Sequence, residues 1–316
     1  MRFSNEMAKQ NSITMDQNAF RSNPDVLQFT QWLAERHQSL SVTMAIKSTR
    51  FVPGGISANL TGLNAVLPYY RWRTAGTGTG DWRETQQRLQ TLRQALQTAI
   101  ESANDDQVFG ACREIVVWGG DRNPRVGALP FLAQLRTGGK LTTYLERARR
   151  DFALDSAIVD DQRPAAGKMN SMLTKVHALA SSDGLPIYDS RVAAAIAALV
   201  ELWRREAGFV DQPLPPALTF PATTPDRSVN HLFADAQHPG FLSYAPKNAA
   251  DTGARWSAAK IRLGWLMRQV LEQADGLFTT EEEGRRMHAF EASLFMIGYN
   301  VRCLWTNHPA TVGIAR

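Results

Sequence analysis

The segment from Gly167 to Val200 reads GKMNSMLTKVHALASSDGLPIYDSRVAAAIAALV and decides the fold class. A helix is predicted to begin near Lys168, and a turn follows where serine, aspartate and glycine cluster at 181–184. Asp189 directly precedes an alanine-rich apolar run, which is the residue type and position of a helix N-cap. The segment therefore predicts a helix, a turn, a short extended piece and a second helix that begins with a carboxylate.

The same helical period continues on both sides of this segment. Apolar residues recur three and four positions apart, which is typical of amphipathic helices. The predicted helices lie at about 24–33, 82–102, 105–118, 127–136, 140–153, 168–181, 190–207, 227–236 and 254–273, with a last one from Thr279 or Thr280. Only 39–68, with three glycines and with β-branched residues near 41–45, indicates a short strand or a loop. The predicted fold class is all-α.

Composition excludes several classes of protein. Two cysteines, Cys112 and Cys303, are too few for a disulfide scaffold or for a zinc site built on several thiolates. The 35 basic and 30 acidic residues give a formal charge of +5, which is compatible with an anionic partner but does not identify one. The first 17 residues are polar and no run of 18 apolar residues occurs. We therefore expect a cytoplasmic protein that does not span a membrane.

A proline-rich connector is the clearest boundary in the chain. Residues 211–225 contain five prolines, which interrupt both helices and strands. We divide the chain into an N-terminal helical region with a short strand or loop at 1–105, a helical core at 106–210 and a C-terminal helical region at 211–316. In the core, Asp105 or Asp106 is the expected N-cap of a helix that ends at Trp118-Gly119-Gly120.

One short segment combines aromatic and basic residues. Pro68 to Arg73 interleaves three aromatic rings with two guanidinium groups, a combination that stacks on exposed bases while binding phosphates. The alternative is a junction between surface and core, with buried rings and solvated arginines. The sequence favours neither interpretation.

Motifs for metals and cofactors are absent or weak. The chain has no Walker A sequence, no HExxH and no GxSxG. His231 and Asp235 are four residues apart and His238 follows, but this pattern is too loose to predict a metal site. We expect no metal and no organic cofactor.

The decisive segment resembles the helix-hairpin-helix superfamily of DNA glycosylases, in particular its bacterial 8-oxoguanine-glycosylase-like branch. The similarity lies in Ile187–Val192, Thr174–Val176, Cys112–Ile115 and Trp118–Gly120, and it spans about 108–206. The hairpin before the first helix differs from the family, because it carries Gly167 alone where the family has two glycines.

The resemblance implies a helix-hairpin-helix-like core with additional N- and C-terminal helices. It also implies an enzyme that breaks the N-glycosidic bond of a damaged or modified base flipped out of DNA, modified bases of phage DNA included. The activity would serve base excision in DNA repair or phage defence. Asp189 would be the catalytic carboxylate, which stabilises an oxocarbenium-like transition state or activates a nucleophile. Lys175, 14 residues before it, is the first candidate for an attacking amine, and Lys168, 21 residues before it, is the second.

DNA is the expected partner, and no obligate protein partner is predicted. The predicted DNA-binding residues are Arg71, Arg73, Tyr70, Trp72, Trp118, Gly167 and Arg191. One alternative is a DNA-binding protein of the same fold without catalysis. Another is a helical protein-interaction module, in which the connector joins two binding lobes.

Overall fold

The computed structural model describes residues 14–74, 76–160, 168–221, 227, 229–233, 235–236, 238 and 249–305. Within these ranges the chain forms ten α-helices and two small antiparallel sheets of two strands each. The prediction of a predominantly helical protein is therefore confirmed. None of the described helices is long and apolar enough to cross a lipid bilayer.

The N-terminal region contains two helices and a β-hairpin. Its elements are β1 (Thr14–Met15), α1 (Gln17–Arg21), α2 (Pro24–Arg36), β2 (Ser41–Ile46) and β3 (Ile56–Thr61). The side chain of Asn23 caps α2 by accepting from the amides of Asp25 and Val26, and Pro24 occupies the first helical turn. The strand that the sequence indicated near 41–45 is β2, and it pairs with β3 so that Ser41 lies opposite Thr61.

The middle of the chain contains the helices that surround the candidate site. They are α3 (Trp82–Glu101), α4 (Asp105–Trp118), α5 (Ala128–Thr137) and α6 (Leu141–Asp151), and they are followed by β4 (Val159–Asp160), which pairs with β1. The predicted cap of α4 is wrong, because Asn104 accepts from the first amides of this helix. Asp105 instead accepts from the amides of Leu141 and Thr142 at the start of α6.

Two helices correspond to the segment that decides the fold. α7 (Leu173–Ala180) begins five residues later than predicted, because Asn170 accepts from the amides of Met172 and Leu173 and so fixes the helix start. α8 (Ser190–Glu206) follows the predicted bounds, and every residue from Val192 to Arg204 is buried. A helix buried on all sides lies at the centre of a core rather than on its surface.

The C-terminal region adds two long helices, the second of which packs against α8. They are α9 (Ala249–Gln273) and α10 (Glu283–Ile297), and short 3-10 helices lie at Pro216–Leu218, Val229–His231 and Val301–Leu304. The predicted start of α10 at Thr279 or Thr280 is wrong, and of the predicted helix at 227–236 only a 3-10 turn is present in the described residues.

A single hydrophobic cluster joins the three regions of the sequence. It includes Phe29, Trp118 and Trp265, one from each region. α9 packs against α1, α2 and α10, and α8 packs against α2 and α10. The described part of the connector, residues 211–221, lies on this core, since Leu218 and Phe220 are fully buried.

Both cysteines lie inside this core. Cys112 and Cys303 are buried and unpaired. Burial raises the pKa of each thiol to about 12, because the thiolate loses the solvation that water would give it.

Candidate active site

The structure brings the predicted carboxylate and the first-choice lysine together. Lys175 Nζ lies 3.4 Å from Asp189 Oδ2. Both residues are about 96% buried, with 4% of each exposed. The ammonium also donates to the carbonyl oxygen of Ser171 at 2.9 Å. Two residues from successive helices, α7 and the start of α8, thus form one buried pair.

Asp189 divides its two carboxylate oxygens between the helix and the lysine. Oδ1 accepts from the amides of Arg191 at 2.9 Å and Val192 at 3.2 Å, which makes Asp189 the N-cap of α8 as predicted. Burial alone would raise the pKa of Asp189. The positive charges of Lys175 and Arg191, together with the two amides, outweigh burial and hold this pKa below its ordinary value. The carboxylate is therefore ionised at neutral pH.

A glycine at the end of α4 makes room for the lysine. A Cβ atom on Gly119 would lie 2.8 Å from Lys175 Cδ and 2.7 Å from Met172 Sδ, which is closer than such atoms approach. The backbone φ of Gly119 is −64°, so the need for glycine here is steric and not conformational. Trp118–Gly120, one of the stretches that resembles the glycosylase family, thus lies against the candidate nucleophile.

The three residues before Asp189 are fixed by side chains from α7, α9 and α10. Four of their backbone groups have a buried side-chain partner. The bonds are Lys260 Nζ to Pro186 O at 2.7 Å, Ile187 N to Glu291 Oε2 at 2.9 Å, Tyr188 N to Thr174 Oγ1 at 3.0 Å and Trp256 Nε1 to Tyr188 O at 2.9 Å. Because no water is needed to satisfy these groups, the position of Asp189 is set before any substrate arrives.

Lys260 is the charged neighbour of the Lys175–Asp189 pair that the sequence did not predict. It is fully buried on α9, and its Nζ lies 2.8 Å from Thr174 O and 3.0 Å from Thr174 Oγ1. Burial lowers the pKa of Lys260 well below its ordinary value, Lys175 lowers it further, and the carboxylates of Glu291 and Asp183 oppose that change. The available signal was a lysine four residues after Trp256, on the apolar face of the helix.

The second-choice lysine lies elsewhere. Lys168 is exposed, and its Nζ lies 5.4 Å from the centre of the Phe131 ring rather than beside Asp189. The prediction that Lys168 belongs to the catalytic group is therefore not supported. Gly167 and the hairpin at 161–167 lie outside the described residues.

The aromatic residues predicted to stack on bases are buried. Tyr70, Trp72 and Trp118 expose 5%, 5% and 3% of their surface. Trp72 Nε1 donates to Trp118 O at 3.1 Å, and Tyr70 packs edge-on against Trp82. These rings present no free face, so their proposed stacking role is corrected in favour of the buried-ring interpretation.

The two arginines of this segment differ in their surroundings. Arg71 is half-buried and donates to the carbonyl oxygens of Pro68 and Tyr70. Arg73 is exposed, as expected of a residue available to an anion.

Arg191 contacts three aromatic rings and also lies close to Asp189. Its guanidinium carbon lies 4.2, 4.9 and 5.4 Å from the ring centres of Tyr299, Phe295 and Trp72. Cation–π contacts of this kind hold the charge in place. This charge lies two residues beyond Asp189 and favours its ionised form.

Among the described residues, no group of three or more His, Cys, Asp or Glu side chains is arranged to hold a metal ion. His238, considered above for such a site, is buried, and its Nε2 lies 3.1 Å from Glu201 Oε2.

Comparisons of the chain with protein-family models, with curated proteins and with solved structures find no match. The function therefore rests on the residues and their geometry.

Proposed function

We propose that this protein is a DNA glycosylase that cleaves the N-glycosidic bond of a damaged or modified base and leaves an abasic site. The observation that supports the proposal is the buried contact of 3.4 Å between Lys175 and Asp189. The resemblance assigned both residues from the sequence, and no property of an ordinary helical bundle requires a lysine and an aspartate to meet in its core.

The pair supplies the two functions that base excision needs. Breaking the C1′–N bond develops positive charge on the sugar, and an ionised carboxylate held by helix amides stabilises that charge. Lys175, after giving up its proton, attacks C1′, and the departing base takes the bonding electrons and then a proton. If Lys175 serves only to position Asp189, water is the nucleophile and the product is a plain abasic site.

A DNA-binding protein without catalytic activity is the second candidate. The burial of the Lys175–Asp189 pair favours it. The Lys175 and Asp189 side chains are only 5% and 6% exposed. A flipped base reaches them only if neighbouring side chains move. A buried ion pair can also be purely structural.

The substitution Asp189→Asn separates these two functions. Asparagine keeps the N-cap but removes the charge. Mass spectrometry of the bases released from a panel of genomic DNAs, hypermodified phage DNA included, should show release by the wild type. The variant should release the base at least about 100-fold more slowly and still bind DNA. Unchanged release would exclude Asp189 as the catalytic carboxylate.

Borohydride trapping tests the role of the lysine. If Lys175 attacks, reduction should link the wild-type protein covalently to substrate DNA, and Lys175→Gln should abolish the link. Lys168→Gln is the matched control and should leave trapping intact. Base release by the wild type without any trapped complex would assign the attack to water.

A further inference from the structure

A basic cleft lies beside the candidate active site. It has a volume of about 550 Å³, and its walls include Arg50 from the β2–β3 connection, Arg73, and Arg122 from the loop after α4. The remaining wall residues are Phe51, Thr74, Val117, Gly120, Asp121 and Asn123. Three elements distant in the sequence thus place three guanidinium groups around one cavity.

Among the described residues, the three arginines of this cleft form no ion pair. Arg50, Arg73 and Arg122 are all exposed. Other arginines do form such pairs, as in Arg36–Glu206 and Arg268–Asp155. Uncompensated guanidinium groups around a cavity favour an anionic ligand.

Two polar residues of the wall also favour an anionic ligand. Asp121, the one carboxylate among the described wall residues, accepts from the amide of Asn123 at 2.9 Å and is therefore tied to its own loop. The buried hydroxyl of Thr74 has no hydrogen-bond partner among the described residues. A local movement that exposes this hydroxyl to the cleft would let it donate to an anionic oxygen.

The cleft lies next to the Lys175–Asp189 pair and shares neighbouring residues with it. Phe51, on its wall, stacks on Trp72 with ring centres 4.0 Å apart, and Arg191 lies against the same tryptophan. Gly120 also lines the cleft, while the adjacent Gly119 contacts the lysine stem. A DNA strand in the cleft therefore passes Gly120, the residue next to the glycine that contacts Lys175.

We propose that this cleft binds the phosphodiester backbone of the DNA strand that enters the active site, with Arg50, Arg73 and Arg122 as phosphate ligands. The inference rests on the proposed function for the identity of the polymer. Guanidinium groups match phosphate oxygens in geometry and charge, and such contacts fix a strand without reading its sequence.

Fluorescence anisotropy with a labelled oligonucleotide tests the cleft. The variant Arg50→Ala/Arg73→Ala/Arg122→Ala should bind at least about 10-fold more weakly at low salt, and the slope of log affinity against log salt should fall by about two to three units. The control variant Arg83→Ala/Arg147→Ala/Arg150→Ala removes the same charge from exposed positions on α3 and α6 and should bind nearly as the wild type does.

The outcomes separate this proposal from the proposed function. Equal binding by the cleft variant and the control variant would overturn the cleft as the strand site, whatever the base-release assay shows. If Asp189→Asn releases no base but binds the oligonucleotide as tightly as the wild type does, the cleft remains supported as the strand site. Inorganic phosphate serves as the small-ligand probe. If it binds through the same arginines while the oligonucleotide does not bind, the site takes a free phosphate and the proposal is wrong. A wild type that binds no oligonucleotide overturns it as well.

Discussion

Asp189 and Lys260 show what a single buried charged residue does in this core. Asp189 lies at a helix start with a cation beside it, so its charge is stabilised despite burial. Lys260 has no carboxylate within hydrogen-bond reach among the described residues, and burial dominates its pKa. The sequence identified Asp189 because an aspartate before an apolar helix is a local pattern. Lys260 acts on Pro186 and Thr174, which are more than 70 positions away, and no local pattern carries that information.

The lowered pKa of Lys260 predicts a pH-dependent stability. In the unfolded chain this lysine binds a proton up to its ordinary pKa near 10.4, whereas the folded protein releases it at lower pH. Folding thus becomes more favourable as the pH rises between the two values, by up to about 1.4 kcal/mol per pH unit for one proton. Lys260→Met removes this contribution.

Urea unfolding from pH 7 to pH 10 measures the effect. The difference in unfolding free energy, wild type minus Lys260→Met, should increase with pH. The subtraction cancels the other lysines, tyrosines and thiols that titrate in this range. A difference that stays constant with pH would mean that Lys260 remains charged in the core.

At the scale of the element, α4 contains Gly110 and is followed directly by its C-cap Gly119, and the two glycines have opposite roles. Gly110 lies on the exposed side of the helix with open space around its Cα, whereas Gly119 at the helix end contacts Lys175 and Met172. A glycine inside a helix lowers stability relative to alanine, so only a specific contact gives it a purpose.

The paired substitutions Gly119→Ala and Gly110→Ala test this difference. Gly110→Ala should raise the free energy of unfolding by about 0.5–1 kcal/mol. Gly119→Ala should lower it by about 1–3 kcal/mol, because the new methyl group overpacks the site, and it should also reduce borohydride trapping by displacing the lysine. Thermal or urea unfolding gives the stabilities. Similar effects of the two substitutions would show that Gly119 is not needed for lysine placement.

At the scale of the whole molecule, a buried ionic network joins the connector to the central helix. Glu201, fully buried on α8, accepts from Arg204 at 3.0 Å and lies 2.8 Å from Arg205. Arg204 in turn donates to the carbonyl oxygens of Phe209 and Val210, directly before the connector, and of Gln212 at its start. The described part of the connector, residues 211–221, is therefore held on the core, and the packing there does not follow the boundary suggested by the prolines.

Glu201→Gln is expected to destabilise the whole chain by about 3–5 kcal/mol, because it leaves the buried guanidinium of Arg204 without its counterion. Tryptophan fluorescence and circular dichroism should report one shifted transition. Asp155→Asn, which breaks the exposed pair with Arg268, is the control and should change the stability by less than about 1 kcal/mol. Two separate transitions, with only one of them shifted, would indicate two independent lobes instead.

The sequence predicted most of the helices, the strand β2 and the meeting of Lys175 with Asp189. Periodicity and capping are local, and the resemblance covered both members of the pair. The cleft was largely missed, since Arg50 and Arg122 come from loops that only the tertiary fold brings together with Arg73. The sequence also placed the start of α7 too early. The Asn170 side chain sets the first turn of this helix, and the apolar periodicity does not reveal that.

The burial of Cys112 and Cys303 has a practical consequence for following the proposed reaction. Thiol reagents are attacked by thiolates, and neither cysteine forms a thiolate near neutral pH or is accessible to a reagent. A single cysteine introduced at the rim of the cleft, for example by Asn123→Cys, would thus be the one reactive thiol on the native protein. A fluorophore or a disulfide tether placed there addresses the cleft alone, without first removing the natural cysteines from the core.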